Sequence, residues 1–390
     1  MHRAQALNNT AIEQAPAPLS VGKISLFRFR NYGDIQLSCA ATPVILTGSN
    51  GSGKTNLLEA VSLLVPGRGL RRAALADMQN QNNPEPWAVA VDMHTAFGTL
   101  TIGTGRDAQE SEVDRRIIHI DGKNMRGQNA LAEHVAMAWI TPDMDRILAE
   151  GPSARRKLLD RLVYSFDPAH GSRVNRYEKS LRERLRLLRE GMADAAWLNA
   201  LEDEMAQTGV AIAAARKHMI QQLRTAIAET AGIFPRADLE LKGIAEEALE
   251  TQPALPVEDK LRAALARTRG EDAQTGTCAI GPHRSDLHVM HRARNCPADL
   301  CSTGEQKALL IAIMLAYLRT LIRSRNMTPL FLLDDIAAHL DDIRRSALFE
   351  EIRDLGVQAW LTGTDAEPFA GLLPYAQHGV VEHGNVMWGH

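Results

Sequence analysis

A glycine-rich segment that ends in Lys54-Thr55 constrains the fold more than any other feature of this sequence. Residues 48–55 fit the pattern G-x-x-x-x-G-K-[ST], whose backbone N–H groups cradle nucleotide phosphates. An apolar strand is predicted over residues 43–47 and a helix over residues 56–61, so the loop lies where a helix begins. Unpaired N–H groups and the helix dipole favour anions there. The predicted nucleotide-binding residues of this segment are Gly48, Ser49, Asn50, Gly51, Ser52, Gly53, Lys54, Thr55 and Asn56.

Two acids follow an apolar strand in the second half of the chain. Residues 330–333 read Leu-Phe-Leu-Leu, and Asp334 and Asp335 come next. A buried parallel strand delivers its last carboxylates to the sheet edge where nucleotides bind. We therefore predict that Asp334 and Thr55 hold Mg²⁺, and that Asp335 orients the water that attacks the γ-phosphate. Lys54 would neutralise the β- and γ-phosphates, so ATP and Mg²⁺ are the expected cofactors.

A second helix start precedes those acids along the chain. Ser302-Thr303-Gly304-Glu305-Gln306 comes before an apolar helix, and Ser302 suits the N-cap position. Ser302 and Glu305 also match an ordinary capping box, which remains the alternative. The S-x-G-x-Q spacing, between a phosphate loop and an acidic strand, resembles the signature of ABC-type ATPases. That resemblance implies that Ser302, Gly304 and Gln306 act on the nucleotide of a partner subunit, so that ATP holds a homodimer together.

Hydrophobic patterning divides the chain into a head and an inserted arm. Residues 124–230 follow a helical pattern, with Gly191 separating two helices. The predicted strands cover residues 24–32, 35–37, 87–93, 100–103, 116–120, 358–362 and 379–387. The predicted segments are a flexible tail at 1–20, a head lobe at 21–145, a helical arm at 146–274 and the rest of the head at 275–390. The predicted fold class is thus α/β, an ABC-type P-loop ATPase head with an inserted helical arm domain.

The composition limits the classes of protein to consider. With 390 residues, the chain has room for about two domains. The four cysteines show no C-x-x-C spacing, which indicates neither a zinc site nor a disulfide framework and is typical of a reducing cytoplasm. No run approaches about 18 consecutive apolar residues, so we expect a cytoplasmic protein without a membrane span.

The order and spacing of motifs along most of the chain resemble the RecF family, DNA-repair members of the SMC-like ABC ATPases. The matching segments are Phe29-Arg30-Asn31-Tyr32, 48–59, Pro66-Gly67-Arg68, Thr141-Pro142-Asp143, 151–161, Gly281-Pro282-His283-Arg284, 302–307 and 329–341. The resemblance implies a protein that binds DNA in an ATP-dependent manner and dimerises with ATP at gapped duplex or single-stranded DNA. It also implies RecO and RecR as partners, help in loading RecA, and slow ATP hydrolysis that releases the clamp.

Three departures from related patterns qualify this resemblance. Ser285 stands where the family usually has a second acid before Asp286, which puts a polar contact there in doubt. Many ABC proteins carry a switch Gln and a switch His, but these places read 141–143 and 362–364 here, with neither residue. We therefore expect slow ATP hydrolysis.

For Tyr32, stacking near the adenine and simple packing remain equal alternatives.

A basic region is the candidate DNA surface, because the net charge of −3 requires any polyanion to meet a local patch. Residues 155–189 contain eleven Lys or Arg against four acids. The residues predicted to contact DNA are Arg155, Arg156, Arg182, Arg186 and Arg189. The alternative is a solvated helix face with pairs such as Glu178 and Arg182. A smaller cluster, Arg68, Arg71 and Arg72, is placed to reach either DNA or the γ-phosphate.

Other classes of protein share parts of this pattern. A transporter-coupling ATPase would be shorter and would carry the Gln and His switches. A nucleotide-gated scaffold would hardly hydrolyse ATP, so turnover measured with and without duplex DNA separates it from an ATPase. A small-molecule kinase would leave residues 302–306 without a purpose.

Overall fold

A computed structural model describes residues 19–83, 85–106, 115–191, 194–337 and 340–389. Most of the tail predicted at 1–20 lies outside these residues. Leu19 and Ser20 are buried, and the Leu19 N–H donates to Thr328 Oγ1 (2.9 Å). The packed head therefore includes the last two residues of the segment that the sequence predicts as a tail.

Short strands supply the sheets of the head and of its junction with the arm. In chain order they are β1 (Ser20–Phe27), β2 (Asp34–Ser38), β3 (Val44–Thr47), β4 (Ala88–Thr95), β5 (Gly98–Arg106), β6 (Arg116–Ile120), β7 (Lys123–Asn124), β8 (Met137–Ile140), β9 (Ala237–Lys242), β10 (Asp286–His291), β11 (Cys296–Pro297), β12 (Leu330–Leu333), β13 (Ala359–Gly363), β14 (Gln377–Glu382) and β15 (Asn385–Trp388).

The helices pack on these sheets or form the arm. In chain order they are α1 (Lys54–Ser62), α2 (Leu131–His134), α3 (Pro152–Tyr164), α4 (His170–Glu190), α5 (Ala195–Glu229), α6 (Ile244–Ala248), α7 (Ala254–Arg267), α8 (Arg269–Thr275), α9 (Thr303–Arg325) and α10 (Asp342–Asp354). Within the described residues, no helix combines the length and the apolar character needed to cross a membrane.

The central sheet has the order β15-β14-β3-β13-β12-β8, and its five strands from β14 to β8 are parallel. All four residues of β3, β8 and β12 are buried, as expected for parallel strands covered on both faces. The sequence pattern missed β8 because a four-residue apolar run cannot be distinguished from a buried helix segment by periodicity. The carboxyl ends of β3, β12, β13 and β8 meet at one edge of this sheet.

An antiparallel sheet of order β2-β1-β4-β5-β6-β7 completes the head. In β4 the buried residues alternate, Val89, Val91 and Met93, because one face of the strand covers the core. The hairpin of β1 and β2 was predicted, but β1 ends at Phe27 and not at Tyr32. Residues 28–33 instead form a turn that reaches the phosphate loop.

The arm is built around α5, one unbroken helix of 35 residues that α4 packs along. α4 ends where Gly191 adopts a left-handed φ of 65°, as the sequence predicted for this glycine. A separate core of the arm includes Tyr177, Met205 and Leu261. Deep in it, Arg184 is fully buried between Glu202 (2.9 Å) and Asp272 (2.7 Å).

The arm is joined to the head by more than helices. The segment predicted as helical, 146–274, also contains β9, which pairs with β10 in a three-stranded antiparallel sheet of order β11-β10-β9. The second half of α5, including Met219 and Leu223, packs into the head core beside α9. The base of the arm, formed by the β11-β10-β9 sheet and the second half of α5, is therefore shared with the head.

Candidate nucleotide-binding site

The phosphate loop connects β3 to α1 at the carboxyl edge of the central sheet. Gly48 and Gly53 have φ angles of 147° and 119°, which side chains disfavour. A Cβ at Gly48 would lie 2.3 Å from the carbonyl oxygen of Val381, and one at Gly53 would lie 2.5 Å from Asn31 Nδ2. Glycine is therefore required at both positions. α1 begins without a side-chain cap, which leaves its first N–H groups for a ligand.

Lys54 places a positive charge inside this loop. Its Nζ donates to the carbonyl oxygens of Gly48 (2.6 Å) and Ser49 (2.9 Å), and the residue is 9% exposed. Burial lowers the pKa of Lys54, and the charges of Asp335 and Asp334 oppose that shift. An anion bound in the loop would likewise raise the pKa of Lys54.

Asp334 is held by two hydroxyl groups at the end of β12. Thr55 Oγ1 donates to Asp334 Oδ1 (2.9 Å), and Thr362 Oγ1 donates to the same oxygen (2.8 Å). This brings together the two residues that the sequence assigned to the metal. A carboxylate and a hydroxyl beside a phosphate loop fit Mg²⁺, which takes few protein oxygens and completes its shell with water and phosphate.

Asp335 follows at the same sheet edge. Its φ of 49° is left-handed, a conformation that Asp tolerates better than most residues. Its backbone N–H donates to Thr362 Oγ1 (2.8 Å), so this hydroxyl links the two acids. Sequence reasoning missed Thr362 as a site residue. It is the penultimate residue of β13, a parallel strand beside β3, and the rule that ligands bind at carboxyl ends of parallel strands identifies it.

A second layer of contacts holds the loop from the turn after β1. Asn31 Nδ2 donates to Ser52 O (3.0 Å), and the Tyr32 hydroxyl donates to Gly53 O (3.0 Å). Tyr32 is fully buried, and burial raises the pKa of its hydroxyl well above the usual value. Of the two alternatives for Tyr32, the structure supports packing, because the ring is covered and its hydroxyl supports the loop.

Arg71, for which the sequence left DNA and the γ-phosphate as alternatives, lies at the nucleotide cavity. Arg30 makes a two-fold ion pair with the buried Glu59 of α1 (2.8 and 2.7 Å), and Arg71 lies 3.6 Å from the same carboxylate. Arg71 Nη1 also donates to Asn56 Oδ1 (2.7 Å). Arg71 is therefore oriented by α1 and lies at the cavity wall.

These elements surround a cavity of about 200 Å³. Its lining residues are Asn50, Gly51, Gly53, Lys54, Thr55, Asn56, Arg71, Pro142, Asp334, Asp335, Thr362 and Thr364. Eight of these twelve were predicted from the sequence as nucleotide or metal contacts, and Arg71 belongs to the cluster predicted to reach either DNA or the γ-phosphate. Pro142, Thr362 and Thr364 were not predicted as site residues. Gly48, Ser49 and Ser52 belong to the loop but do not line the cavity.

The signature segment lies outside this cavity, since residues 302–306 are not among its lining residues. Ser302 caps α9: its N–H (3.0 Å) and its hydroxyl (2.9 Å) both donate to Glu305 Oε2. Ser302 and Gly304 are exposed, whereas Gln306 is buried and donates to Cys301 O (2.9 Å). The structure therefore does not join the predicted signature residues to the phosphate loop of the same chain, and the Gln306 side chain binds the backbone of Cys301 just before α9.

Arg155 and Arg156, two of the predicted DNA contacts, bind the base of the arm. Arg155 pairs with Asp286 through two hydrogen bonds (2.8 and 2.7 Å), and Arg156 donates to Ser285 O (2.7 Å). The contact that was in doubt at Ser285 is present, because its hydroxyl donates to the buried Glu246 (2.5 Å). Glu246 thus supplies a carboxylate next to the position where the family usually has an acid.

The predicted DNA residues of α4 already have partners. Arg182 and Arg186 pair with carboxylates of their own helix, whereas Arg189 donates to Leu185 O (3.3 Å). The ion pairs are Arg182–Glu178 (3.6 Å), Arg186–Glu183 (2.7 Å) and Arg186–Glu190 (2.6 Å). The count of eleven basic residues includes Arg184, which the structure buries. That count therefore overstates the charge that the arm exposes.

Comparison with known proteins identifies the family. A family model described as RecF/RecN/SMC N terminal domain matches residues 20–370. Two curated relatives are named DNA replication and repair protein RecF. The one from Mesorhizobium japonicum is 46% identical over 95% of this chain and 98% of its own length, and the one from Allorhizobium ampelinum is 44% identical over 94% and 98%. The chain belongs to the RecF family.

Solved structures share the fold of this chain. A structure of the recombination mediator protein RecF with ATP, in the RecFOR pathway, covers 97% of this chain and 100% of its own, with a TM-score of 0.83 and 22% identity. The Smc head domain of Pyrococcus furiosus, with an extended coiled coil and bound to part of ScpA, covers 95% and 96% at a TM-score of 0.50 and 15% identity. The predicted SMC-like ABC ATPase fold is confirmed.

Proposed function

We propose that this protein is an ATP-dependent DNA-binding protein of recombinational repair and replication, and that it dimerises when it binds ATP. The observation that carries the proposal is the separation of two halves of a site. The phosphate loop and Asp334 share one cavity, whereas the exposed signature residues lie outside it. A second subunit that brings its signature to this cavity would complete the site.

Four side chains of the cavity have a defined role in this proposal. Lys54 and the N–H groups of the loop hold the β- and γ-phosphates. Thr55 and Asp334 hold Mg²⁺, which supplies charge neutralisation between the phosphates when it is bound. Asp335 orients the attacking water. Because the Gln and His switches are absent at 141–143 and 362–364, hydrolysis is slow and acts as a switch.

In the dimer, Ser302 and the backbone at Gly304 contact the partner's nucleotide. Both are exposed at the beginning of α9, where N–H groups favour phosphate. Gln306 keeps the segment in place through Cys301 O and does not itself touch the ligand. This assignment differs from the role expected from the signature resemblance, in which all three residues act on the nucleotide.

The names of the relatives support the choice of partners in this proposal. The protein would act in the cytoplasm at gapped duplex and single-stranded DNA, with RecO and RecR, and so assist the loading of RecA. Two observations support this: curated relatives are named for DNA replication and repair, and a structural neighbour is described as a mediator in the RecFOR pathway.

The decisive experiment compares the wild type with Lys54→Ala in the presence of ATP and Mg²⁺. Light scattering after gel filtration should give twice the 42.8 kDa chain mass for the wild type and the single-chain mass for Lys54→Ala. Lys260→Ala, which removes an exposed lysine of α7 far from the loop in sequence, is the matched control and should dimerise. An ATP-dependent dimer of Lys54→Ala would contradict the assignment.

A gel-shift series measures the DNA part of the proposal. Gapped, duplex and single-stranded DNA are each titrated with and without ATP, and turnover is followed with and without duplex. We expect ATP to tighten binding, most strongly on gapped DNA. Dimerisation without DNA binding would instead indicate a transporter-type coupling ATPase or a nucleotide-gated scaffold.

A further inference from the structure

A second cleft adjoins the nucleotide cavity on the far side of Arg71, which lines both. This cationic cleft has a volume of about 460 Å³ and lies between the segment after α1, the segment after β8 and the first turns of α3. Its charged walls carry Arg71, Arg72, Lys157 and Arg161, against Asp143 and Glu150. The cleft therefore has a net charge of +2 on a chain whose net charge is −3.

Arg161 is a cation of this cleft whose guanidinium contacts an aromatic ring and a sulfur atom. Its guanidinium lies 4.6 Å from the centre of the Trp139 ring and donates to Met144 Sδ (3.4 Å). Among the described residues, no carboxylate lies within ion-pair distance of it. Burial, with a further effect from the charge of Arg72, lowers the pKa of Arg161 to about 10. A half-buried charge without a counter-charge is costly, so an anion that enters the cleft would stabilise Arg161.

Lys157 and Arg72 present two more cations at the same opening. Both are exposed, and neither has an ion-pair partner in the described part of the chain. Lys157 lies one turn before Arg161 on α3, so the two side chains share a face of that helix. This differs from α4, where Arg182 and Arg186 are paired with carboxylates.

The exposed surface of the cleft suits phosphate groups better than an acidic peptide. Of its five large apolar residues, three are buried and two, Leu70 and Ile147, are half-buried. Apolar side chains of a peptide would therefore find limited surface to bury. The cations of the cleft outnumber its acids by four to two, and phosphate oxygens are the common ligands of such groups.

We propose that the cationic cleft binds the sugar-phosphate backbone of DNA through Arg72, Lys157 and Arg161. The inference rests on the proposed DNA-binding function and locates its phosphate contacts in the head, beside the nucleotide cavity. Contacts to the backbone alone give binding with weak sequence preference and a strong dependence on salt.

The test is a salt titration of DNA affinity with the full-length protein and ATP. Fluorescence anisotropy with a duplex of about 30 base pairs, between about 50 and 200 mM KCl, gives the slope of log affinity against log salt. Lys157→Gln and Arg72→Gln change exposed residues. Each should lower the slope by about one and weaken binding about fivefold to tenfold at 100 mM. Lys260→Gln on α7 is the matched control and should leave both unchanged.

Arg161→Met distinguishes an arginine that binds DNA from one that only packs, because melting temperature and DNA affinity are measured together. It keeps the volume of the side chain and removes the uncompensated charge, so the melting temperature should equal or exceed that of the wild type while DNA affinity falls. A lower melting temperature with unchanged DNA affinity would assign Arg161 to packing and count against the proposal.

Three outcomes overturn the inference and are distinguishable. Unchanged slopes in both Lys157→Gln and Arg72→Gln, with wild-type DNA binding intact, contradict the cleft alone. Polyglutamate binding that both variants lose, with unchanged DNA slopes, makes an acidic peptide the occupant. A wild-type protein that binds none of the DNA probes contradicts the proposed function and the cleft together.

Discussion

Two helices of this molecule begin at predicted nucleotide contacts, and they begin in opposite ways. α1 starts after Gly53 without a side-chain cap, and Lys54 adds a positive charge to its open N–H groups. α9 starts at Ser302, whose N–H and hydroxyl both bind the carboxylate of Glu305. The first helix start is ready for a phosphate, whereas the second already carries an anion from its own chain. A signature motif can therefore be present without being a nucleotide site within one subunit.

The residues around the two helix starts also differ, and they too favour a nucleotide site at α1 and not at α9 within one subunit. α1 lies beside Asp334, whose carboxylate is fixed by Thr55 and Thr362. The start of α9 is exposed and contacts Arg294 through Glu305 (2.6 Å) and Arg344 through Gly304 O (3.3 Å). Changes near α1 should thus affect nucleotide binding by the monomer, and changes at α9 should affect only the dimer.

The largest effect is expected for Asp334→Asn. The amide keeps the size of the side chain but removes the negative charge beside Thr55, and with it the carboxylate proposed to bind Mg²⁺. ATP hydrolysis should fall at least about a hundredfold, since a metal contributes several kcal/mol to such reactions. The thermal shift produced by ATP should also lose its dependence on Mg²⁺. An Mg²⁺-dependent shift equal to that of the wild type would show that Asp334 is not the metal ligand.

Thr362→Val measures how much the shared hydroxyl contributes. The isosteric change leaves Asp334 Oδ1 with one donor fewer and leaves the Asp335 N–H without its acceptor. Hydrolysis should fall about tenfold and the free energy of unfolding by about 1–3 kcal/mol, the usual cost of buried unpaired polar groups. Thr364→Val is the matched control, because Thr364 lines the same cavity but its hydroxyl binds exposed Asp365. Equal losses of hydrolysis and stability in the two variants would show that the Thr362 hydroxyl contributes no more than that of Thr364.

Glu305→Gln tests the other helix start. Nucleotide binding by the monomer should match that of the wild type, and ATP-driven dimerisation should strengthen a few-fold, because the amide no longer competes as an anion at the start of α9. The measurement is sedimentation with and without ATP, alongside ATP affinity of the monomer. Weaker dimerisation would instead mean that the carboxylate helps to hold the signature in shape.

The pH dependence of stability gives a separate measure of Glu305. The Ser302 N–H, and then its hydroxyl, lower the pKa of Glu305 below the ordinary 4.5. A carboxyl whose pKa is lower in the folded state adds stability above its unfolded pKa and loses it as the pH falls through the folded pKa. The difference in melting temperature between the wild type and Glu305→Gln should therefore shrink as the pH is lowered from about 6 to about 3.5. A constant difference would argue against this contribution.

The sequence predicted which residues lie together at the beginning of α1, because most of them belong to short contiguous motifs. The phosphate loop and the acids after β12 are contiguous motifs, and the rule for parallel strands brings their ends together. β8 was missed because a short buried strand has no visible period. The strand of Thr362 was predicted at 358–362, but its place in the sheet was not, because its pairing partners are distant in sequence. Knowing that the sheet has the order β3-β13-β12-β8 is what brings Thr362 next to Asp334.

Ion pairs between residues distant in sequence also limited how well the charge pattern could predict the exposed cations. The excess of arginine over residues 155–189 is visible in sequence, but the partners of Arg184 and Arg155 are at Asp272 and Asp286, about a hundred residues later. Whether a cation is exposed or neutralised depends on the fold. The same holds for Gln306, whose burial follows from the packing of α9 and not from the signature pattern.

The smallest effect is expected for Arg344→Gln at the α9 side. Arg344 Nη1 donates to Gly304 O (3.3 Å) and lies 3.5 Å from Asp341 Oδ2, so it connects the signature to the beginning of α10. The ion pair is partly exposed, and its loss should change the free energy of unfolding by less than about 0.5 kcal/mol. ATP-driven dimerisation should weaken about twofold, because Gly304 loses a neighbour that fixes its carbonyl. Arg345→Gln is the control, since Arg345 pairs with Asp342 (2.5 Å) on the same helix and does not reach the signature. Equal dimerisation of the two variants, measured by sedimentation with ATP, would show that the beginning of α9 is held by Ser302 and Glu305 alone.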